Sequence, residues 1–271
     1  MSDRKNKKKD SLPKVIYYHD ELHDEFSTAE IEAKRIDGGY RYDRASGIYR
    51  IPRFFWYRIV AVPLAFCYLK LKFRHRIVGK EKMKLAKKQG IFVFGNHTQI
   101  IGDALIPTFV RFPTDAYVIV HPNNVSMPFL GRINPYLGAL PLPDDRDAMR
   151  NFMDTVKKRI EQKRSVFIYP EAHIWPYYTG IRPFGDDSFL YPVKYGTPVY
   201  CFTNTYQKRK HSKKPQIVTY IDGPFYPDTE LSPRAQRKKL RDTVYETMCE
   251  RSRLSDAVTV EYRKADEVHD E

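Results

Sequence analysis

Apolar and polar positions along this 271-residue chain switch between a two-residue and a helical period, and the switches mark short strands and amphipathic helices. Ile91-Phe92-Val93-Phe94, closed by Gly95-Asn96, has the form of a buried strand ending in a turn. The mostly apolar stretch from Ile100 to Val110 then reads as a helix. Between His75 and Val120 the order is strand, helix, strand, helix, strand, ending on Ala116-Tyr117-Val118-Ile119-Val120. Behind the candidate caps Asp144 and Asp145, residues Met149, Phe152, Met153, Val156 and Ile160 fall at helical spacing, which predicts a helix with one buried face. Ser165 to Pro170, Val199 to Thr203 and Gln216 to Ile221 read as further strands. Ser232-Pro233, a cap followed by proline at the first helical position, opens a last helix with Leu240, Val244 and Met248 as its buried stripe. This alternation predicts an α/β fold, a single domain with a central mixed, largely parallel sheet flanked by helices.

One apolar stretch has a different character. Residues 54 to 71 begin Phe54-Phe55-Trp56-Tyr57 and are flanked by Arg50, Arg53, Arg58, Lys70, Lys72, Arg74 and Arg76. The uncharged centre, Ile59 to Leu69, is short for a bilayer core of ~30 Å. Aromatic residues, basic flanks and a short apolar centre fit an N-terminal helix lying in a membrane interface. The competing reading is a helix packed on the sheet.

Composition narrows the partners. A net charge of +14 calls for an anionic surface, either nucleic acid or an anionic membrane, and the segment just described favours the membrane. No recognised nucleic-acid-reading motif accompanies the charge, so no nucleic acid is expected as a partner. With 20 Tyr and 16 Phe the body of the chain is not disordered in character, whereas the Lys-rich residues 1 to 12 are. Three scattered cysteines fit a reduced compartment. The charged start, Met1 to Asp10, lacks the form of a signal peptide, so the expected location is the cytoplasmic face of a membrane, peripheral or monotopic. His19, Asp20, His23 and Asp24 have metal-like spacing without a further ligand nearby, and no metal site is assigned.

Candidate chemistry gathers where strands end. His97 follows the Ile91 to Phe94 strand, with Asp103 a few residues on; a carboxylate beside a histidine can fix its tautomer and stabilise its cation, as a general base requires. A polar turn that caps the next helix accounts for the same residues equally well. Glu171 follows the strand Ser165 to Pro170, and in open α/β sheets ligands collect at such strand ends. Arg146 and Arg182 are candidate anion-binding cations because guanidinium forks match phosphate oxygens. No serine elbow, Walker loop or dinucleotide fingerprint is present.

Read in order, these segments form blocks. Asn96-His97-Thr98 resembles the start of Asn-His-x-Ser-x-x-Asp. Pro128-Phe129-Leu130-Gly131, then Gly138-Ala139-Leu140-Pro141-Leu142 and Asp145-Arg146, resembles Pro-x-x-Gly followed by Gly-x-x-x-x-x-Arg. Tyr169-Pro170-Glu171-Ala172-His173 partly matches Phe-Pro-Glu-Gly-Thr-Arg, Arg182-Pro183-Phe184 resembles Pro-Phe-Lys, and Gly196-Thr197-Pro198-Val199-Tyr200 resembles Gly-x-Pro-Val. Over roughly residues 75 to 205 the chain therefore resembles the PlsC-type glycerolipid acyltransferases. There are three departures. Five residues, not four, separate His97 from Asp103; Gly102 permits unusual backbone angles, so a bulge or a later helix start is expected to absorb the extra one. The Gly-Thr-Arg of the third block, whose Arg the family uses to hold the acceptor's phosphate, is absent. Pro143 and Asp144 are extra in the second block.

The resemblance implies transfer of a fatty acyl group from a thioester, acyl-CoA or acyl-carrier protein, to the hydroxyl of a glycerolipid such as a lysophospholipid, with no bound cofactor. It implies His97 as base, Asp103 as its orienting carboxylate, Asn96 beside the reacting carbonyl, Glu171 on the acceptor's glycerol part, and Arg146 or Arg182 on an anionic group. Residues 1–50 then form a basic start and polar extension, 51–74 the membrane-associating segment, 75–255 the acyltransferase domain and 256–271 a tail. An impaired member that only binds lipid is the alternative, and a nucleic-acid-binding protein a more remote one.

Overall fold

The computed structural model describes residues 13–27 and 31–265, so the Lys-rich start expected to be disordered lies outside the described residues. β1 (Lys14–Tyr18) leads through an extended segment to a long helix α1 (Gly47–Phe73), β2 (Arg76–Val78) and a 3-10 segment, Lys80–Lys87. Next come β3 (Ile91–Gly95), α2 (Gly102–Arg111), β4 (Ala116–Val120), β5 (Ala139–Pro141), α3 (Arg146–Glu161) and β6 (Ser165–Ile168). α4 (Leu190–Tyr195), the hairpin β7 (Val199–Arg209) and β8 (Ser212–Phe225), α5 (Pro233–Ser252) and β9 (Val260–Lys264) complete the order.

Seven strands form one sheet in the order β2-β8-β7-β3-β6-β4-β5, parallel throughout except for the β7/β8 hairpin. The expected mixed, largely parallel sheet flanked by helices is the observed one. β3 lies at its centre and is buried on both faces, as parallel strands covered by helices must be. Phe92 and Phe94 enter a core with Phe152, Phe189, Val199 and Val244, under α3, α4 and α5. Ile91 and Val93 enter the opposite core with Leu69, Phe73, Ile106, Phe167 and Phe202, under α1 and α2. Gly95 is glycine for space, since a Cβ there would lie 2.1 Å from the Phe202 ring. The β7/β8 hairpin is longer than its apolar positions suggest: its outer pairs are Gln207↔Gln216 and Arg209↔Ser212, and a register shift between them leaves the Lys208 N–H to the Asp256 carboxylate at 2.6 Å.

Two peripheral segments depart from expectation. The stretch read as a C-terminal tail supplies β9, which pairs in parallel with β1 from Lys14↔Val260 to Tyr18↔Lys264. The polar extension packs through its aromatic residues: Tyr18 and Phe26, together with Tyr262 of β9, surround the buried Trp175. Asp20 and Asp24, noted for their spacing with His19 and His23, accept backbone N–H groups of Leu22 (2.8 Å) and His19 (2.7 Å) in a turn.

α1 is one continuous helix, π-helical over Phe55–Ala61 just before Pro63, whose ring nitrogen cannot serve the ordinary ladder. Its 27 residues make it long and apolar enough to cross a membrane by length and composition alone, which corrects the expectation drawn from its short uncharged centre. Arg53, Tyr57, Ala65, Leu69 and Phe73 are buried against the domain, and Arg53 and Arg58 both pair with Asp115 at the start of β4. Ile51, Phe54, Phe55, Ile59, Leu64 and Phe66 are at least half exposed on the other side. The reading of a helix packed on the sheet therefore holds for one face, and the other face is apolar and exposed.

Candidate active site

β3, β4, β5 and β6 run parallel, so the segments after them open at one edge of the sheet. His97 lies two residues past β3, with its Nδ1 2.9 Å from Asp103 Oδ2. α2 begins only at Gly102, so His97 lies outside the helix and helical spacing does not govern the pair. The extra residue is taken up by Thr98 to Ile101, whose backbone folds around the carboxylate: the N–H groups of Thr98 and Gln99 each donate to Asp103 Oδ2 at 2.8 Å. Of the two expected ways to absorb it, the later helix start is the observed one; Gly102 carries no positive φ and is small because a Cβ would lie 2.9 Å from the Gln99 Cβ.

Asp103 is 1% exposed, and burial raises its pKa against the lowering effect of His97 and the two amides. Its second oxygen accepts from Asn204 Nδ2 (3.3 Å). Asn204 Oδ1 in turn accepts from Thr219 Oγ1 (2.6 Å), which lies 2.8 Å from His75 Nε2. Burial lowers the His75 pKa to about 4, so near neutral pH His75 is uncharged and donates through Nε2–H to the Thr219 oxygen. This chain fixes the Asn204 amide with its nitrogen toward Asp103. The His97 ring also stacks on Tyr169, with centroids 4.5 Å apart. Its Nδ1 is committed to Asp103, which leaves Nε2 to take a proton.

Glu171 sits behind this pair, 3% exposed. Its carboxylate accepts the backbone N–H of His97 (3.2 Å) and of Arg182 (3.3 Å), and burial raises its pKa to about 7 despite the Arg182 charge. It clips the two strand-end loops together. Ala172 follows in the left-handed region (φ 62°), and His173 bonds Glu25 (3.3 Å) of the N-terminal extension.

Two candidate contacts are corrected. Both ends of the Asn96 amide are used on Asn204, Nδ2 to its carbonyl (3.0 Å) and Oδ1 from its N–H (2.8 Å), so Asn96 extends the β3/β7 pairing and does not reach a substrate carbonyl. The Arg182 side chain is fully buried over Trp175; its guanidinium donates to the carbonyls of Glu21 (3.1 Å), Glu171 (3.0 Å) and His173. It binds the loop and the N-terminal extension together and is closed to an anion. Arg146 is exposed in the first turn of α3, capped by Asp145, whose side chain accepts from Ala148 N at 2.8 Å. It shares the catalytic edge, but three strand spacings, roughly 14 Å, separate β5 from β3. Asp144, extra in the second block, holds Ile36 through both backbone groups (2.6 and 3.0 Å). Tyr169, Asn204, Thr219 and His75 were not foreseen. Of these only Tyr169 stands in a recognised block.

The sequence model of the acyltransferase family matches residues 74–203. This segment is similar to that family. It holds His97, Asp103, Glu171 and Tyr169 and ends inside β7, one residue before Asn204. The 1-acyl-sn-glycerophosphate (LPA) acyltransferase PlsC from Thermotoga maritima has a similar fold, with a TM-score of 0.51 at 21% identity over 70% of this chain and 76% of that one. A comparison with curated proteins finds no match. The matched segment thus carries a His-Asp pair whose geometry suits proton abstraction from a hydroxyl.

Proposed function

We propose that the protein transfers a fatty acyl group from a thioester donor, acyl-CoA or acyl-carrier protein, to the hydroxyl of a lysophospholipid or related glycerolipid such as 1-acyl-glycerol-3-phosphate. The observation that carries this reading is the His97–Asp103 contact at the end of β3, inside the segment similar to the acyltransferase family. In the proposed reaction His97 Nε2 takes the acceptor's hydroxyl proton as that oxygen attacks the thioester carbonyl. The C–O bond forms, the C–S bond breaks, and the imidazolium returns its proton to the departing thiolate. Asp103 holds the ring through Nδ1 and stabilises the cation, while Glu171 holds the His97 backbone. No metal or bound cofactor is required by these steps, because alignment and proton transfer can carry thioester chemistry.

The same reading assigns the outer face of α1 to a membrane, on its cytoplasmic side and without spanning it. Ile100 and Ile101, half exposed beside His97, and Phe129 beside Trp56 support an acceptor taken from lipid. The lipid-binding alternative drew on the stretched His-Asp spacing and on the missing Gly-Thr-Arg; the 2.9 Å contact speaks against the first ground, and the second stands. The test is transfer of a labelled acyl group from acyl-CoA to lysophosphatidate in mixed micelles, followed by other lysolipids and by acyl-carrier-protein donors. Absence of transfer to every lysolipid acceptor with both donor classes contradicts the reading.

A further inference from the structure

Pro107 lies inside α2 and has no N–H, so the backbone carbonyl of Asp103, four residues earlier, has no ladder donor. A buried carbonyl left without a donor is costly. The Tyr169 hydroxyl fills that place by donating to the Asp103 carbonyl. Tyr169 stands just past the end of β6, in direct line with β3 through the register Phe94↔Ile168. The same ring stacks on the His97 imidazole, tilted by only 20°. Burial and the neighbouring Asp103 hold its hydroxyl well above the ordinary phenol range, so it remains a donor at any working pH. One side chain therefore touches both members of the dyad, each through a different group.

We infer that Tyr169 is a positioning residue of the His97–Asp103 pair: its hydroxyl holds the first turn of α2 by the carbonyl that Pro107 leaves unpaired, and its ring holds the imidazole plane. The kinetic consequence rests on the acyl-transfer reading; the consequence for the imidazole does not. With the first turn of α2 released, Asp103 loses its fixed approach to Nδ1 and the imidazole proton exchanges between the two ring nitrogens.

The test is a double-mutant cycle on the full chain, made of Tyr169→Phe, Pro107→Ala and the two together. Pro107→Ala supplies a helical N–H to the Asp103 carbonyl, so it replaces the donor that Tyr169→Phe removes while the aromatic stack stays. In protein labelled with 15N-histidine, with the His97 resonances assigned by His97→Gln, the wild type gives a single Nδ1–H tautomer. Tyr169→Phe gives averaged or broadened ring signals, and the double variant recovers the single tautomer. In turnover, Tyr169→Phe lowers kcat about tenfold, the order expected for one orphaned buried carbonyl, with acceptor KM within about twofold. In the Pro107→Ala background the same change lowers kcat less than about twofold. An unchanged tautomer in Tyr169→Phe, or a loss as large in the Pro107→Ala background, overturns the inference. If Tyr169→Phe alone fails to fold, the double variant must fold, and its failure also overturns it. A wild type without acyl transfer defeats the functional reading, while the tautomer measurement still decides this one.

Discussion

Asp103 Oδ2 receives the His97 ring and the backbone N–H groups of Thr98 and Gln99 at the same oxygen, all within 2.9 Å. The carboxylate is the centre about which the loop folds, and the fifth residue of the gap belongs to that loop. Replacing it by an amide removes the negative charge and forces an N–H₂ or a neutral oxygen toward three donors. Asp103→Asn should lower kcat by about 10³ to 10⁴, by analogy with the effect of removing the orienting carboxylate in a catalytic triad. Stability falls as well, so the thermal midpoint is measured beside the rate; near-normal turnover in a folded variant contradicts the assignment.

Shortening the loop is a separate prediction. Deleting Gly102 recreates a four-residue gap but removes the residue that lets the Thr98–Gln99 turn close on the first turn of α2. The deletion should lose at least tenfold in turnover, an order set by the sensitivity of near-attack geometry to shifts of about 1 Å. Improved activity would mean that the longer loop is a defect, not a fitted part.

Arg182 offers a sharp distinction between substrate contact and internal support. Its guanidinium serves three backbone carbonyls and the Glu171 carboxylate. Arg182→Gln should therefore cost on the order of 3 kcal/mol in unfolding free energy, the size expected when one partner of a buried ion pair is removed. Acceptor KM in the folded fraction should stay within about twofold, because uniform substrate binding is untouched. A large rise in acceptor KM with stability intact would return Arg182 to the substrate.

Glu171 makes stability depend on pH. Its folded-state pKa of about 7 lies above the ordinary 4.5, so between those values the folded chain binds more protons than the unfolded one. The contribution of this group to stability is fully present below about 4.5 and is lost as pH rises through about 7. Glu171→Gln removes the titration, so the stability of wild type relative to the variant should decline from pH 5 to pH 8, by an amount on the order of 1–3 kcal/mol. Chemical denaturation at both pH values measures it, and a difference that grows with pH contradicts the burial argument.

Much of the architecture was legible because it rests on periodicity. Phe92 and Phe94 alternate with Ile91 and Val93, Phe152, Val156 and Ile160 of the predicted stripe face one core while Met149 is exposed, and Asp145 and Ser232 cap their helices through Ala148 and Ala235. Block order placed His97 and Glu171 after strands of a parallel sheet, with Asp103 in the first turn of the helix that follows His97. The roles of Asn96 and Arg182 were not legible, since their partners, Asn204 and the carbonyl of Glu21, are brought in by strand pairing and by the N-terminal extension, more than one hundred positions away in sequence. His75 and Thr219 are likewise 144 positions apart, and the chain Asn204, Thr219, His75 joins β7, β8 and the link between α1 and β2. The outer half of the β7/β8 hairpin and the β1/β9 pair were hidden for a different reason: neither buries an alternating apolar face.

The most direct test of the account is the specific rate of acyl transfer by His97→Ala, measured at saturating donor and acceptor beside the thermal midpoint of the same preparation. His97 is partly exposed and packs by its ring on Tyr169, so the fold should survive with a modest loss in midpoint. Turnover should fall by at least about 10³, because the group that accepts the hydroxyl proton is gone. Loss of transfer in a folded variant is the result the account predicts; transfer at the wild-type rate would contradict it.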